Sequence, residues 1–241
     1  MDNIEIHAHF WYLDESKYVI DKISQKFSDR INISLIEGSE SNSEILEYAQ
    51  SKFKVVKYVL VENMGTDQNG FIKSYKTNSE EKDWIFYVHD KKDLEWIDDI
   101  IDPLINTLDN FNPSNMVGII GSKHKQQTIE DEEYVIKRDK ELPFESKLDI
   151  VRIKHTLVWL RQLQYIAFQE HGFFCKEKIN FDFIAGTMFI AKREVVQLTH
   201  ECVHDSFFTS GYSPNGKLEH GLERFYGYIN ECLKLEMEAV L

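Results

Sequence analysis

The stretch VVKYVLVENMGTDQNG, residues 55–70, joins the most strand-like segment of the sequence to the polar turn that follows it. Val55–Val61 is apolar and rich in β-branched residues, which predicts a buried strand. We predict a loop over Glu62–Gly70, in which Gly65 permits a sharp backbone turn. Asp67 in this loop offers a carboxylate to a ribose hydroxyl or a cation, and an ordinary polar turn is the alternative.

Strand and helix patterns alternate on both sides of this stretch. The other predicted strands of the first half are Ile4–Phe10, Ile31–Ile36, Trp84–Val88 and Val117–Ile120, and predicted helices over Lys17–Phe27, from Ser43 and over Leu94–Leu108 lie between them. This order favours a mostly parallel sheet with helices on both faces. In such a sheet, ligands bind beyond the carboxyl ends of the strands.

The second half is predicted to contain a long helix, an apolar strand and two further helices. These segments are Leu148–His171, Phe181–Ala191, a helix through Val203 and a terminal helix from Leu218, and the charged stretch Thr128–Glu145 is predicted to be an exposed excursion. We therefore predict one α/β domain over residues 1–241. Residues 1–122 would form a nucleotide-binding half and residues 123–241 an acceptor-side half with the C-terminal helix.

Composition excludes several classes of protein. The 28 Lys and Arg against 41 Asp and Glu give a net charge of −13, so the broad basic surface of a nucleic-acid-binding protein is not expected. Three cysteines without a Cys-x-x-Cys pair predict free thiols in a reducing compartment. Neither a leader peptide nor a membrane-spanning apolar stretch is recognisable, so we expect a cytoplasmic location.

Three polar clusters fall at the carboxyl ends of predicted strands, and Asn63–Asp67 is the first. His7 and His9 lie on one side of the first strand, a spacing that suits a metal ion as well as a buried histidine pair. The adjacent Phe10–Tyr12 segment offers rings that stack on a planar base. His89–Lys92 combines a carboxylate with two ammonium groups, which suits a diphosphate, bound directly or through Mg²⁺ or Mn²⁺, or a simple charged turn.

Two more clusters lie in the second half. Ala185–Thr187 interrupts an apolar strand, and a glycine there indicates a bulge or the close approach of a ligand or another backbone. The terminal helix opens with Glu219, His220, Glu223 and Arg224, which lie on adjoining faces of its first turns. A solvated helix end is the alternative interpretation of this group.

The segment His200-Glu201-Cys-Val-His204 matches the pattern of zinc peptidases, in which two histidines share a helix face and the glutamate activates zinc-bound water. Glu219 or Glu223 would be the third ligand. A zinc peptidase is therefore an alternative that rests on this motif alone. A non-catalytic subunit that binds a sugar nucleotide is a further alternative.

Taken in order, the clusters resemble the rhamnan synthesis F family of bacterial glycosyltransferases. The shared patterns are a His-x-x-aromatic strand end, an Asn-x-Gly-x-Asp loop, a His-x-Lys-Lys turn, an Ala-Gly-Thr-Met-Phe strand and a His-x-x-Glu-Arg helix, here at residues 9–12, 63–67, 89–92, 185–189 and 220–224. The resemblance covers nearly the whole chain. It implies a GT-A-like fold and transfer of a sugar from a nucleotide diphosphate in the assembly of O-antigen, capsule or wall rhamnan.

The resemblance also implies roles for these residues toward a UDP- or dTDP-sugar donor. The predicted donor-binding residues are His9, Phe10, Tyr12, Asn63, Gly65, Asp67, His89, Asp90, Lys91 and Arg224. Gly186 and Thr187 would line the donor-sugar and acceptor region. The partners would be the nucleotide sugar and a glycan or lipid-linked acceptor, with no nucleic acid and with peripheral association at the inner membrane.

An inverting transfer requires one carboxylate that deprotonates the acceptor hydroxyl. Our first choice is Glu219, ahead of Asp67 and Glu223. Asp90 and His220 are candidate ligands of Mg²⁺ or Mn²⁺, and Lys91 would take the place of the ion in a metal-independent mechanism. The Asp-x-Asp pair of many metal-dependent GT-A enzymes is absent from the sequence, so both mechanisms stay open.

Overall fold

The computed structural model describes residues 3–129, 147–173, 181–210 and 217–241. The first half contains β1 (Ile4–Phe10), α1 (Leu13–Ser24), β2 (Arg30–Ile36), α2 (Asn42–Lys52), β3 (Val55–Val61), α3 (Thr66–Asn78), β4 (Trp84–His89) and α4 (Leu94–Thr107). The second half adds β5 (Val117–Ser122), β6 (Gln126–Thr128), α5 (Lys147–His171), β7 (Asp182–Ile184), β8 (Phe189–Lys192), α6 (Arg193–Glu201), α7 (Leu218–Cys232) and β9 (Glu236–Val240).

The central sheet has seven strands in the order β3-β2-β1-β4-β8-β5-β9. Strand β8 runs antiparallel to both of its neighbours, and the other strands share one direction. Strands β6 and β7 form a separate antiparallel pair. This architecture confirms the predicted α/β class and is consistent with a GT-A-like domain. The strand order reverses between β1 and β4, and the crevice beyond their carboxyl ends is where such sheets bind ligands.

Alternation along β1 supplies both faces of the core. Ile6 and Phe10 point toward α1 and α4 and belong to the apolar cluster on that face. Glu5, His7 and His9 are buried on the opposite face, where α3 covers the sheet. The second apolar cluster lies on this face and joins α3 to α5, α6 and α7. Each face of the sheet is therefore covered by helices, as predicted.

The predicted loop over Glu62–Gly70 is wrong beyond Gly65, because α3 begins at Thr66. Its sequence, TDQNGFIKSYKTN, is poor in strong helix formers and so gives a weak local signal. Tertiary packing stabilises it instead, since Phe71 and Ile72 are fully buried on the sheet. A Cβ on Gly70 would lie 2.2 Å from the His9 ring, so only glycine permits this helix to lie so close to β1.

Two predictions for the second half are also corrected. The strand predicted over Phe181–Ala191 is two strands, β7 and β8, separated by a turn at Gly186. The terminal helix ends at Cys232, and the chain then returns as β9 beside β5. Alternation of Glu236 and Glu238 with apolar residues fits an edge strand better than a continued helix.

Strand β3 was predicted to be buried and instead lies at one edge of the sheet. Its side chains are largely exposed, and Tyr58 retains 51% of its accessible surface. The predicted excursion Thr128–Glu145 lies, apart from its first two residues, outside the described residues, as does Cys175. Within the described part of the chain, none of the helices combines the length and the apolar character needed to cross a bilayer.

Candidate active site

The turn after β1 is held to the end of β4 by Asp90. Oδ2 of Asp90 accepts hydrogen bonds from the backbone N–H groups of Trp11 (2.7 Å) and Tyr12 (2.6 Å) and from Oγ of Ser16 (2.7 Å). Burial raises the pKa of this carboxyl group, and the three hydrogen bonds oppose that rise. Asp90 therefore stabilises the start of α1 at the base of the crevice.

Two aromatic rings stand at the mouth of the crevice. The rings of Trp11 and Tyr12 are nearly parallel, with centroids 6.0 Å apart, and Nζ of Lys92 lies 5.0 Å from the Tyr12 centroid. Phe10 is fully buried in the core, and His9 is buried beneath α3 with Nδ1 3.0 Å from Oγ of Ser34. Neither of these two predicted donor-binding side chains reaches the open edge. We therefore leave both out of the proposed site.

The N-terminus of α3 brings Asp67 to the same edge. Gly65 precedes the helix with a φ of +68°, and a Cβ there would lie 2.3 Å from the Phe208 ring. Oδ1 of Asp67 accepts from Oγ1 of Thr66, and the Asp67 carbonyl accepts from the Tyr87 hydroxyl. Oδ2 of Asp67 is buried and has no hydrogen-bond partner among the described residues. Asn63 is exposed before this turn.

The Gly186–Thr187 turn, between β7 and β8, contacts the end of β4 and the helices α3 and α7. Both residues have positive φ angles, +85° and +55°. The Gly186 carbonyl faces Nε2 of His89 at 2.8 Å, and the Gly186 N–H donates to Oε1 of Glu223 at 3.0 Å. Nε2 of Gln68 donates to Oγ1 of Thr187 at 2.6 Å. The turn thus connects β4, α3 and α7.

The first turns of α7 carry two carboxylates with different surroundings. Oε1 of Glu223 accepts from the Gly186–Thr187 turn, and its Oε2 lies 3.5 Å from Nη1 of Arg224. Glu219 is buried, and its Oε1 has no partner within the described part of the chain. Burial raises the pKa of Glu219, and the negative charge of Asp67 acts in the same direction.

Arg224 is held within α7. Its Nη1 donates to the His220 carbonyl at 2.6 Å, and its guanidinium lies 4.6 Å from the centroid of the Phe183 ring. Burial lowers the pKa of Arg224, although the charge of Glu223 opposes this shift. Arg224 was predicted to bind the donor, and within the described residues it contacts α7 itself and Phe183.

Two lysines, Lys91 and Lys125, lie against the side chain of Trp96 on α4. Nζ of Lys91 lies 3.7 Å from a Trp96 ring centroid, and Nζ of Lys125 lies 5.4 Å from a centroid of the same side chain. Burial lowers the pKa of Lys91, whereas the charges of Asp93, Asp67 and Glu223 raise it. Trp96 packs against Gly186, so both lysines lie beside the Gly186–Thr187 turn.

Sequence reasoning missed three residues of this arrangement, Gln68, Trp96 and Lys125. Gln68 and Trp96 lie on helices where nothing local distinguishes them from packing residues. Lys125 follows β5, and its connection to Lys91 becomes visible only through the shared Trp96 ring. Of the predicted residues, His89 and Glu223 bond directly to the Gly186–Thr187 turn, and Lys91 lies against the Trp96 ring beside it. Asp67 precedes Gln68, which bonds to Thr187, and Glu219 lies one helical turn before Glu223 on α7.

The predicted metal ligands do not fit a metal ion that is held by side chains of the protein alone. Among the described residues, no three His, Cys, Asp or Glu side chains are grouped as metal ligands. Asp90, one of the two predicted ligands, already uses Oδ2 for the turn after β1. His220, the other, lies beside Glu223 with 3.8 Å between Nδ1 and Oε2.

The zinc-peptidase arrangement is not formed. Helix α6 ends at Glu201, so His204 does not follow His200 on a helix face. His200 is buried with Nε2 2.8 Å from the Tyr226 hydroxyl, and burial holds its pKa well below the usual range. His204 is exposed and bonds to Ser206. The pattern in the sequence is therefore coincidental.

The comparison with known families gives one clear result. The family model described as RgpF, rhamnan synthesis protein F, matches residues 1–233. No curated protein matches the chain. The matched range covers all three parts of the site, on α3, after β4 and on α7.

Proposed function

Because the chain belongs to the rhamnan synthesis protein F family, we propose that it is a glycosyltransferase of bacterial surface polysaccharide assembly. It moves a sugar from a UDP- or dTDP-sugar to a glycan or lipid-linked acceptor. The family name ties the chain to rhamnan, a polysaccharide, and the donor and acceptor are part of the proposal. Lipid-linked acceptors would bring the protein to the inner face of the plasma membrane.

The observation that carries the proposal is the pair of buried carboxylate oxygens without partners, Oε1 of Glu219 and Oδ2 of Asp67. A buried acceptor without a donor costs about 1–3 kcal/mol, so such atoms favour a ligand that supplies hydrogens. Sugar hydroxyls are donors of this kind, whereas a phosphate group is not. Asp67 lies just beyond the end of β3, and Glu219 lies one helical turn before Glu223, which bonds to the Gly186–Thr187 turn. The carboxyl ends of the strands are where a ligand is expected in this class of sheet.

Other side chains near these carboxylates support the proposal for the base and the diphosphate of the nucleotide sugar. The exposed Trp11 ring and the partly buried Tyr12 ring suit a pyrimidine base. Lys91 and Lys125 suit the diphosphate, on which negative charge grows as the sugar leaves. We assign no step to a metal ion, since no three His, Cys, Asp or Glu side chains of the described ranges are grouped as ligands for one.

Glu219 is the proposed base. Its carboxylate takes the proton of the acceptor hydroxyl while the acceptor oxygen bonds to the anomeric carbon, and the electron pair of the breaking bond leaves with the diphosphate. A raised pKa makes Glu219 a stronger base than an exposed glutamate. Glu223 accepts hydrogen bonds from the Gly186–Thr187 turn and is a positioning residue for that turn.

A thermal-shift screen against UDP-, dTDP- and GDP-sugars tests the donor, because a ligand that binds the native state raises the melting temperature. We then expect Glu219→Gln to abolish transfer without lowering donor affinity, while the exposed control Glu238→Gln keeps wild-type turnover. The acid limb of the wild-type pH–rate profile should lie above about 4.3, the ordinary pKa of glutamate. Binding without any transfer would favour the non-catalytic subunit, and full turnover in Glu219→Gln would overturn the assigned base.

A further inference from the structure

Strand β3 has the composition of a buried strand but lies at an edge of the sheet. Val55, Tyr58 and Leu60 keep 45%, 51% and 48% of their accessible surface. The opposite edge strand, β9, carries Glu236 and Glu238, and charged edge residues discourage pairing with another chain. Lys57 is the one charged residue of β3, so this edge is much less protected.

The outer edge of β3 presents a defined set of backbone groups. The Val55 N–H and the Val61 carbonyl bond toward β2, to Asp29 and Glu37. Because the N–H and C=O of one residue point the same way and successive residues alternate, the odd-numbered residues face β2. The N–H and C=O groups of Val56, Tyr58 and Leu60 therefore face away from the sheet.

We infer that β3 pairs antiparallel with β3 of a second copy, around a two-fold axis that passes beside Tyr58. In this register, Tyr58 stands opposite the partner's Tyr58, and Val56 stands opposite the partner's Leu60. Every outward-facing residue then meets an outward-facing residue, and each pair exchanges two backbone hydrogen bonds. The two sheets become one continuous sheet.

The same register brings opposite charges together at both ends of the pair. Lys54 stands opposite the partner's Glu62, and two-fold symmetry repeats this contact. Glu62 is exposed, and Lys54 forms an exposed ion pair with Asp29, at 74% and 77% side-chain exposure. Such a pair contributes little to stability and is readily exchanged. This complementarity, with the self-matching backbone pattern, points to a second copy as the occupant of the edge.

Side chains on one face of β3 become more buried when the two β3 strands pair. Val56, Tyr58 and Leu60 lie on this face, where cross-strand contacts between aromatic and β-branched residues stabilise sheets. Lys57 lies on the other face, opposite the partner's Val59, and stays at the surface.

Disulfide trapping tests the register. The substitution Tyr58→Cys places two thiols opposite each other, with Cα atoms about 5.5 Å apart, which a disulfide spans. We expect oxidation to give a covalent dimer. Leu60→Cys is the matched control, because Leu60 has nearly the same exposure on the same face but is four residues from its symmetry mate. Leu60→Cys should cross-link only when mixed with Val56→Cys, and equal cross-linking of both single variants would overturn the register.

Charge exchange tests the pairing without a covalent bond. Lys54→Glu and Glu62→Lys each place like charges opposite one another. The dimer of each variant should therefore dissociate at a higher protein concentration than the wild-type dimer, as measured by sedimentation velocity. An equimolar mixture of the two restores opposite charges at both ends and should recover the wild-type dimer. A wild-type protein that sediments as a monomer throughout the micromolar range would overturn the proposal, as would a mixture that associates no better than its components.

Discussion

Nε2 of His89 lies 2.8 Å from the carbonyl oxygen of Gly186, which ties the end of β4 to the turn between β7 and β8. Nδ1 of the same ring lies 2.8 Å from the Asp90 carbonyl. Carbonyl oxygens only accept hydrogen bonds, so the ring nitrogen is the donor in each contact that forms. His89 thereby connects the base of the crevice to the turn that Glu223 holds from the other side.

Gly186→Ala should disrupt this turn. The φ of Gly186 is +85°, and a Cβ there would lie 2.2 Å from the Trp96 ring. Gly38→Ala is the matched control, because its φ is +77° and nothing lies within 4 Å of the added Cβ. The backbone cost alone is about 1–2 kcal/mol, so we expect Gly38→Ala to lose about that much stability and Gly186→Ala clearly more.

Urea denaturation measures both losses. Gly186→Ala should also reduce sugar transfer, because the displaced Trp96 ring supports Lys91 and Lys125, whereas Gly38→Ala should leave transfer unchanged. Equal losses of stability in the two variants would contradict the close approach of Trp96.

The main effect of Asp90→Ala should be a lower free energy of unfolding and not a direct loss of donor binding. The substitution leaves the Trp11 and Tyr12 N–H groups and the Ser16 hydroxyl without their shared acceptor. A buried donor that loses its acceptor costs about 1–3 kcal/mol, and the partly buried donors cost less, so the unfolding free energy should fall. Asp90→Asn keeps one acceptor oxygen and should recover part of the loss. A variant that is as stable as the wild type but inactive would instead favour a direct contact of Asp90 with the donor.

The stability of the protein should fall as the pH drops from about 6.5 toward 4, in part because of His9. Burial lowers the pKa of His9 to about 4, whereas an unfolded histidine titrates near 6.5. Below about pH 6.5 this histidine binds a proton in the unfolded chain but stays neutral in the folded protein. The free energy of unfolding therefore falls by roughly 3 kcal/mol across this pH range.

His9→Gln isolates this contribution, since His7 and His200 are also buried with lowered pKa values and contribute in the same direction. Urea denaturation at pH 7.5, 6 and 5 should show a shallower pH dependence in the variant than in the wild type. Identical slopes would mean that His9 is not neutral in the folded protein.

The sequence predicts those parts of the fold whose local pattern and tertiary role agree. The apolar strand β4 and the amphipathic helix α4 are examples, since their apolar residues lie where each element is buried. Helix α3 was missed because its local propensity is weak and packing on the sheet stabilises it. The position of β3 was misjudged because composition reports how apolar a strand is and not what covers it.

The residues of the candidate site divide in the same way, into those with a local signal in the sequence and those that only tertiary contacts reveal. Asp67, His89 and Glu219 lie at strand ends or helix starts, where a polar residue is conspicuous in the sequence. Asp90 is equally conspicuous, but its hydrogen bonds to the turn after β1 could not be read from the sequence. Trp96 and Lys125 have no local signal, because their importance arises from a contact between residues distant in the chain.

Lys91→Gln and Lys125→Gln should weaken binding of the donor diphosphate. Each variant removes one cation held on the Trp96 ring, and a charge-assisted hydrogen bond is worth about 1.5–3 kcal/mol, so kcat/KM should fall roughly tenfold to a hundredfold in each. Lys123→Gln is the matched control, because Lys123 is an exposed residue of the same turn as Lys125. Initial rates with the donor that the thermal-shift screen identifies give the comparison, measured with and without EDTA. Rates that EDTA abolishes while both lysine variants stay fully active would mean that an ion, and not this lysine pair, neutralises the leaving diphosphate.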